Sequence, residues 1–393
     1  MSDIQTIKQR DDEYVMHSYG RFPVVIASGK NASCQDPDGN AYIDMTSGIG
    51  VNIFGFADEG WVDAVTKQLS LFQHTSNLYY TEPCTLVAEA LCKGTGMKKV
   101  FFGNSGAEAN ECAIKAARKY SVVKYGKERT NIVTLINSFH GRTVTTLAAT
   151  GQEHYHEFFF PFTEGFTYAQ AGDIEDVKAK AGTNSCAVML EIVQGEGGVI
   201  PLEKEFVQAV EAFCRENDLL LIIDEVQTGV GRTGSLYAYQ QLGITPDIVT
   251  SAKGLGGGLP IGAILFGERL ETILQPGQHG STFGGNPVVC AGSAHILSRL
   301  APDFLAEVKA KGEYITQKVS VMPHVTSVCG MGLMLGIGLG DGVKAGDVVK
   351  KAIGHGALLL TAHDKVRLLP PLTITYEEID KALAALQNAL TEE

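Results

Sequence analysis

The sequence is poor in basic residues and has no long apolar run. Its 32 lysines and arginines are outnumbered by 44 aspartates and glutamates, so the formal net charge is −12. Nucleic acids and anionic membranes attract densely basic surfaces, and this balance excludes a general binder of either while allowing a local basic pocket. No apolar run approaches the roughly 20 residues that a membrane-spanning helix needs. The N-terminal segment lacks the apolar core of a signal peptide, and we expect a cytoplasmic protein.

Two motifs are also missing, and a third does not occur where its function would require it. The 8 cysteines are scattered without a CxxC pair, which argues against a disulfide or metal framework and predicts reduced thiols. No GxxxxGK[ST] is present, so a nucleoside triphosphate site is not indicated. No GxGxxG directly follows a predicted strand, which argues against a dinucleotide-binding dehydrogenase.

The length and the apolar pattern predict a two-domain α/β protein. A chain of 393 residues is long for one core. Short apolar strands alternate with helices through KVFFG, NIVTL, AVMLEIV, LLLIID, DIVTS and IGAILF. This alternation predicts a largely parallel sheet that is buried on both faces. We expect a large domain at residues 56–290, a small α+β domain at 291–393, and an N-terminal segment at 1–55 that joins the small domain.

Further elements are predicted on either side of this alternating region. VVIAS and AYIDM are strand-like, and the turn residues Asp36–Gly39 lie between them. Helical spacing predicts helices over about 58–72 and 204–217. Near the C-terminus, helices over about 288–320 and 376–391 bracket the strand-like GLMLGIGLG and VRLLPPL.

Asp224 and Lys253 are the most informative residues, because each lies where a buried strand ends in a glycine-rich turn. Parallel α/β sheets bind ligands at the carboxyl ends of their strands. An amine and a carboxylate at that edge are the two groups that pyridoxal phosphate requires. The amine becomes covalently joined to the aldehyde, and the acid keeps the ring nitrogen protonated. The pair therefore predicts this cofactor.

The segment NSGAEAN follows the FFG strand and begins a helix. Ser105 and Glu108 have the spacing of a capping box, and a well-capped helix is one interpretation. The other is that the free N–H groups of Gly106 and Ala107, at the positive end of the helix dipole, bind a phosphate. The spacing alone leaves both open.

Two more loops carry residues that fit the same ligand. In SFHGRT, Phe139 has a flat ring that can stack on a planar cofactor, and Arg142 offers two parallel donors to a carboxylate, although a loop arginine is commonly a surface charge. After Asp224, Val226 could pack on the opposite ring face and Gln227 could donate to the phenolic oxygen. The hydroxyls of STFGGNP could reach a phosphate or form a plain turn.

Together these segments resemble the class III pyridoxal-phosphate aminotransferases over nearly the whole chain. The motifs that carry the resemblance are HTSNLYYTEP (74–83), FFGNSGAEANECAIKAAR (101–118), SFHGRT (138–143), EIVQGEGGV (191–199), LLIIDEVQTGVGRTG (220–234), SAKGLGGGLPIGA (251–263), STFGGNP (281–287) and RLLPPL (367–372). Within the class, SNLYYTEP and SFHGRT are similar to the acetylornithine branch.

The resemblance implies a fold-type I enzyme with a mostly parallel seven-stranded sheet, and a site shared across a homodimer. It implies that Lys253 and Asp224 are catalytic. The cofactor-binding residues that it implies are Ser105, Gly106, Ala107, Phe139, Asp224, Glu225, Val226, Gln227, Lys253 and, from the neighbouring subunit, Thr282. The substrate-binding residues are Arg142, Ser281, Glu196 and Arg367, with Glu196 masking Arg367 when no second carboxylate is present.

The expected reaction is a ping-pong transfer of the terminal amino group of N2-acetylornithine to 2-oxoglutarate. Ornithine, succinyldiaminopimelate and 4-aminobutyrate are alternative amino donors, and an aminomutase of the same fold is a further alternative. Arg142 together with Glu196 disfavours 4-aminobutyrate and the mutase. A non-catalytic regulatory module would normally be fused to a DNA-binding domain, and no helix-turn-helix or basic segment precedes residue 30.

Overall fold

The computed structural model describes residues 3–340 and 342–392. The helices are α1 (Ile4–Tyr14), α2 (Ser47–Gly50), α3 (Glu59–Leu71), α4 (Glu82–Thr95), α5 (Gly106–Tyr125), α6 (Val144–Ala149), α7 (Ile174–Ala181), α8 (Lys204–Glu216), α9 (Pro287–Arg299), α10 (Pro302–Val319), α11 (Ala345–Gly354) and α12 (Tyr376–Thr391). The strands are β1 (Ser28–Lys30), β2 (Ser33–Gln35), β3 (Ala41–Asp44), β4 (Lys99–Gly103), β5 (Asn131–Leu135), β6 (Phe166–Ala169), β7 (Ser185–Glu191), β8 (Val193–Gln194), β9 (Ile200–Pro201), β10 (Leu220–Asp224), β11 (Ile248–Ser251), β12 (Gly262–Phe266), β13 (Val325–Met331), β14 (Met334–Leu339), β15 (Ala357–Leu358), β16 (Leu360–Ala362) and β17 (Lys365–Leu368).

A seven-stranded sheet forms the centre of the molecule, with the order β4-β12-β11-β10-β7-β5-β6. Its pairings are parallel except where β12 runs antiparallel to β11 and β4. Every residue of β5, β7, β10, β11 and β12 is buried, because helices cover both faces. The prediction of a mostly parallel seven-stranded sheet is confirmed.

Among the described residues, two four-stranded sheets lie outside this centre, together with a two-stranded sheet of β8 and β9. The first is antiparallel, with the order β13-β14-β17-β16. The second has the order β1-β2-β3-β15, in which the C-terminal strand β15 pairs in parallel with β3. Strands near the two ends of the chain therefore share a sheet. The domain limits themselves stay a prediction.

Two sequence predictions need correction. Residues 24–27 of VVIAS are not in a strand, and the chain instead pairs β1 with β2. The helix expected over 288–320 is two helices, since α9 ends at Arg299 and α10 begins at Pro302. Proline has no N–H for a helix interior and disfavours helical backbone in the residue before it, so it begins the second helix.

In the part of the chain that the structure describes, no helix is both long and apolar enough to cross a bilayer.

Candidate active site

A cavity of about 410 Å³ lies at the carboxyl ends of the central strands. Its walls come from the start of α5, the loop after β5, and the turns after β7, β10 and β11. Nine of the predicted site residues line it: Ser105, Gly106, Ala107, Phe139, Arg142, Asp224, Val226, Gln227 and Lys253. The strand order brings these separate segments to one place, as expected for a parallel α/β sheet.

Asp224 is held by a set of hydrogen bonds at the end of β10. Its side chain is buried, and Oδ2 accepts from Asn110 Nδ2 (2.8 Å) and lies 2.8 Å from His140 Nδ1. Oδ1 accepts from the Val226 N–H (3.0 Å) and, at 3.4 Å, from the Thr250 hydroxyl. A carboxylate held on four sides cannot rotate freely, so its position is set before any ligand binds.

Asn110 and His140 were missed by the sequence reasoning. Both are buried, and Asn110 also donates to the His140 carbonyl oxygen (2.7 Å). Asn110 Oδ1 and His140 Nε2 are buried, and neither has a hydrogen-bond partner in the part of the chain that the structure describes. His140 lies inside the SFHGRT motif, between Phe139 and Arg142.

Glu191 was also missed, and it lines the cavity. It ends β7 as Asp224 ends β10, and the two residues are paired in register on adjacent parallel strands. Burial raises the pKa of Glu191 well above its usual value, and the negative charge of Asp224 adds to the effect. A buried strand that ends in a carboxylate was the signal that singled out Asp224, and it applies equally here.

Lys253 begins the turn after β11 and faces the same cavity. Burial lowers the pKa of its amine because the charged form is poorly solvated there, although the negative charge of Glu196 opposes the shift. Its backbone has a φ of 41°, in the left-handed region that is strained for a non-glycine residue. A lysine with a lowered pKa is a better nucleophile and proton acceptor near neutral pH.

The start of α5 forms a cradle for an anion. Ser105 is the N-cap and accepts from the Glu108 N–H (3.1 Å), while Glu108 accepts from the Asn104 N–H. Ser105 therefore caps the helix as predicted, although the second bond of the capping box goes to Asn104 instead of Ser105. Among the described residues, no acceptor is recorded for the N–H groups of Gly106 and Ala107. A Cβ on residue 106 would lie 2.7 Å from Val226 Cγ1, so only glycine fits there.

These features fit pyridoxal phosphate. The free N–H groups at the start of α5 suit its phosphate, Asp224 suits its ring nitrogen, and Lys253 suits its aldehyde. The unpartnered polar atoms of Asn110 and His140 lie in the wall behind that position.

Arg142 is exposed at the mouth of the cavity and is held by aromatic rings. Its guanidinium carbon lies 4.1 Å from the centroid of the Tyr155 ring and 5.5 Å from that of Phe139. These two rings meet edge to face at 5.7 Å. Within residues 3–340 and 342–392, the structure records no carboxylate in ion-pair contact with Arg142. The guanidinium is therefore positioned but not neutralised.

Arg367 and Glu196 form an ion pair beside Lys253, at 2.6 Å between Nη1 and Oε1. Burial acts to raise the pKa of Glu196, but the charge and hydrogen bond of Arg367 outweigh it, and the pKa is lowered. Gln227 contacts both partners, donating to Glu196 (3.3 Å) and accepting from Arg367 (3.4 Å). The sequence had suggested only the cofactor's phenolic oxygen for this amide.

Ser281 and Thr282 are not in the main cavity. They line a separate one of about 320 Å³, which also contains Asn104. Asn104 Nδ2 donates to Ser281 Oγ (3.0 Å), and Asn77 holds the same loop by donating to the carbonyl oxygens of Ser281 and Gly284. Within one chain, Thr282 is exposed.

The prediction that Glu225 binds the cofactor is corrected by its position. Its side chain is fully buried on the far side of the turn, where it accepts from Thr228 Oγ1 (2.6 Å) and from the N–H groups of Ala238 (3.0 Å) and Tyr239 (2.7 Å). Successive residues at the end of a strand point in opposite directions, so Asp224 facing the cavity turns Glu225 away from it.

Comparison with known proteins places the geometry in context. Residues 14–390 match the class-III aminotransferase family. The acetylornithine aminotransferase of Haemophilus ducreyi is 50% identical over 387 residues, which cover 98% of each chain. Among solved structures, N-acetylornithine aminotransferase from Stenotrophomonas maltophilia K279a has a TM-score of 0.83 at 34% identity over 98% of both chains. Ornithine aminotransferase from Toxoplasma gondii ME49 has a TM-score of 0.94 at 29% identity, over 99% of this chain and 95% of that chain.

Proposed function

The chain belongs to the class III aminotransferases, which depend on pyridoxal phosphate, and from this premise we propose that it transfers the terminal amino group of N2-acetylornithine to 2-oxoglutarate. The products are N-acetylglutamate 5-semialdehyde and glutamate. The two half-reactions alternate in one cavity, so the same residues must accept a terminal amine in one and an α-amine in the other.

The different states of two arginines carry this proposal. Arg142 has no carboxylate partner among the described residues, whereas Arg367 is paired with Glu196 at 2.6 Å. A donor with a single carboxylate can pair with the guanidinium of Arg142 and leave the buried pair of Arg367 and Glu196 intact. A dicarboxylate needs both arginines, and Glu196 must then release Arg367. An ion pair that opens only for the second substrate avoids leaving a buried charge unpaired during the first half-reaction.

The surroundings of Arg142 favour an acylated donor over free ornithine. The α-ammonium of ornithine is next to the carboxylate that Arg142 would bind, so binding would bring it close to the guanidinium. The two positive charges would repel each other, and the ring faces that attract a cation are already in contact with Arg142. Acylation removes that charge and supplies an amide that tolerates the aromatic surface.

The chain's own residues supply the proton transfers and the orientation. Pyridoxal phosphate provides an electron sink for the negative charge that develops when the substrate carbon beside the amine loses its proton. Lys253 Nζ takes that proton and later returns it, which its lowered pKa favours. Asp224 keeps a proton on the ring nitrogen, and its four hydrogen bonds resist rotation of the carboxylate away from it.

A homodimer with shared sites completes the proposal. Thr282 is exposed within one chain, and apolar side chains surround its loop: Leu78 is 88% exposed and Phe283 is 61% exposed. Asn77 joins these two segments into one surface through its bonds to Ser281 and Gly284. Exposed apolar surface of this kind marks an interface, and we assign a second copy of this chain as its occupant. Thr282 would then contribute to the partner's phosphate site.

The donor is identified by single-turnover mixing of the holoenzyme with acetylornithine, ornithine, succinyldiaminopimelate and 4-aminobutyrate in parallel. Acetylornithine should consume the visible band of the bound cofactor with the highest rate per unit concentration. Faster consumption by another amine would reject acetylornithine as the preferred donor.

The shared site is tested by mixing two inactive variants, Lys253→Ala and Thr282→Tyr, under conditions that exchange subunits. If Thr282 acts across the interface, each mixed dimer contains one site with neither change, and activity returns. No recovery, with mixed dimers shown by mass spectrometry, would place Thr282 in the site of its own chain.

A further inference from the structure

Glu191 lines the cavity and is 5% exposed. Among the described residues, its carboxyl group makes no ion pair with lysine or arginine. A buried carboxyl group is costly unless its oxygens are hydrogen-bonded. Here each oxygen accepts one backbone N–H: Oε1 from Phe139 (2.9 Å) and Oε2 from Gly195 (3.2 Å).

These two N–H groups belong to the two segments that carry the substrate-binding side chains. Phe139 is in the loop that contains Arg142, three residues further on. Gly195 immediately precedes Glu196, the partner of Arg367. One side chain is therefore bonded to the supports of both carboxylate-binding arginines.

The two segments also pack directly on each other. Gln194 Nε2 donates to the Ile136 carbonyl oxygen (2.8 Å). A Cβ on residue 197 would lie 2.4 Å from the carbonyl oxygen of Asn137, so this close approach needs glycine. A shift of either segment is thus transmitted to the other. Glu191, the last residue of β7, lies where both segments contact the central sheet.

A carboxyl group satisfies both N–H groups at this point, because each of its oxygens can accept a hydrogen bond whether or not the group carries a proton. A glutamine of the same shape has one accepting oxygen, and its NH₂ would face the second N–H as donor against donor. A buried N–H without an acceptor is unfavourable, so one of the segments would move. Displacements of about 1 Å in an active site can cost on the order of 100-fold in rate.

We propose that Glu191 is a positioning residue, which sets the spacing between the Arg142 loop and the Glu196–Arg367 pair by bonding to both segments. It thereby fixes the distance between the two carboxylates that the cavity accepts. This inference rests on the proposed function, in which both arginines bind substrate carboxylates. The inference assigns to Glu191 an effect on dicarboxylate recognition and on the orientation of Phe139.

The test compares Glu191→Gln with Glu225→Gln in the holoenzyme. Glu225 is a matched control because it is also fully buried, neighbours Asp224 and accepts two backbone N–H groups, yet it does not line the cavity. For each variant, calorimetry measures the Kd of glutarate, a dicarboxylate that has no keto group and cannot react. Near-ultraviolet and visible circular dichroism of the bound cofactor reports its orientation, and steady-state kinetics gives KM and kcat for both substrates.

Glu191→Gln should weaken glutarate binding by roughly ten- to 100-fold, raise KM for 2-oxoglutarate more than kcat falls, and change the cofactor's circular dichroism. Glu225→Gln should lower the thermal midpoint and leave these readouts at their wild-type values. If Glu191→Gln behaves like Glu225→Gln, the positioning role is wrong. Should Glu191→Gln fail to fold, Glu191→Asp keeps two accepting oxygens with a shorter reach, and the same readouts apply to it.

Failure of the proposed function gives a different pattern. If the wild-type enzyme prefers another amine, the choice of acetylornithine is wrong, but glutarate binding and the cofactor's circular dichroism still report on Glu191. If wild-type enzyme binds glutarate and Glu191→Gln binds it equally well, only the inference on Glu191 is overturned.

Discussion

The wall behind the cavity and the rim in front of it are built differently. In the wall, Asp224, His140 and Asn110 are buried and joined by hydrogen bonds of 2.7–2.8 Å. On the substrate side, which we call the rim, Arg142 is exposed and rests on aromatic rings, and Arg367 is buried and paired with the Glu196 carboxylate. The wall has one hydrogen-bonded arrangement, whereas we propose that the charges of the rim change partners when a ligand binds.

This difference follows from what each region must do. Chemistry on a protonated ring needs an acid at a fixed place, since stabilisation by a preorganised charge requires no rearrangement during the reaction. Recognition of two unlike substrates needs groups that can change partners. Substitutions in the wall should therefore affect chemistry, and substitutions in the rim should affect recognition.

Replacing Lys253 with alanine should have the largest effect. The variant loses both the covalent attachment of the cofactor and the amine that moves the substrate proton, and turnover should fall by at least about 1,000-fold. The measurement is kcat for acetylornithine together with the visible spectrum. Retention of the band and of turnover would contradict the assignment of Lys253.

The Asp224→Asn substitution should have the next largest effect on turnover. It keeps the size of the side chain and removes the charge that keeps the ring nitrogen protonated, so kcat should fall by roughly 100- to 1,000-fold. Thr250→Val, which removes only the 3.4 Å contact to Oδ1, is the control and should cause a much smaller loss. Equal losses in the two variants would mean that the charge of Asp224 is not what matters.

At the rim, Arg142→Ala and Arg367→Ala should differ in which substrate they affect. Without Arg142, the KM for acetylornithine should rise by about 10- to 100-fold, because a charged hydrogen-bonded partner is lost. Without Arg367, that KM should change little while the KM for 2-oxoglutarate rises. Half-reaction kinetics measures each separately. A similar rise for both substrates in both variants would remove the distinction between a free and a masked arginine.

The smallest effect should be the change in thermal stability caused by Glu196→Gln and Glu191→Gln. The two changes should depend on pH in opposite directions. The pKa of Glu196 is lowered, so its ion pair stabilises the fold above the unfolded value of 4.5 and is lost as the pH falls through the lower folded pKa. Glu196→Gln should therefore lower the thermal midpoint at pH 7, with the difference closing in acid.

At Glu191 the pKa is raised, so the folded protein holds a proton that the unfolded chain releases above about 4.5. Wild-type stability should fall as the pH rises from there, and Glu191→Gln should lack this fall. Thermal scans from pH 4 to pH 8 on wild type and both variants give the difference in thermal midpoint between wild type and each variant. This difference should grow with rising pH for Glu196→Gln and shrink with rising pH for Glu191→Gln. The same trend for both variants would contradict the two pKa directions.

Local sequence determined much of this protein by itself. Continuous apolar runs specified six of the seven strands of the central sheet, because a strand covered on both faces needs no polar alternation. The edge strand β6, which is only partly buried, was not predicted. The capping residues Ser105 and Glu108 specified the start of α5, and the polar residues that end β10 and begin the turn after β11 marked the cavity. All of these depend on neighbours a few residues apart.

Tertiary structure decided which distant residues meet. Asn110 and His140 reach Asp224 across 114 and 84 residues of chain, and only the strand order brings their segments together. The alternation at the end of β10 turned Glu225 away from the cavity, and register placed Glu191 beside Asp224. Apolar periodicity sets the type and length of an element but carries no information on its neighbours, so the contacts around the carboxylates could be read only from the folded chain.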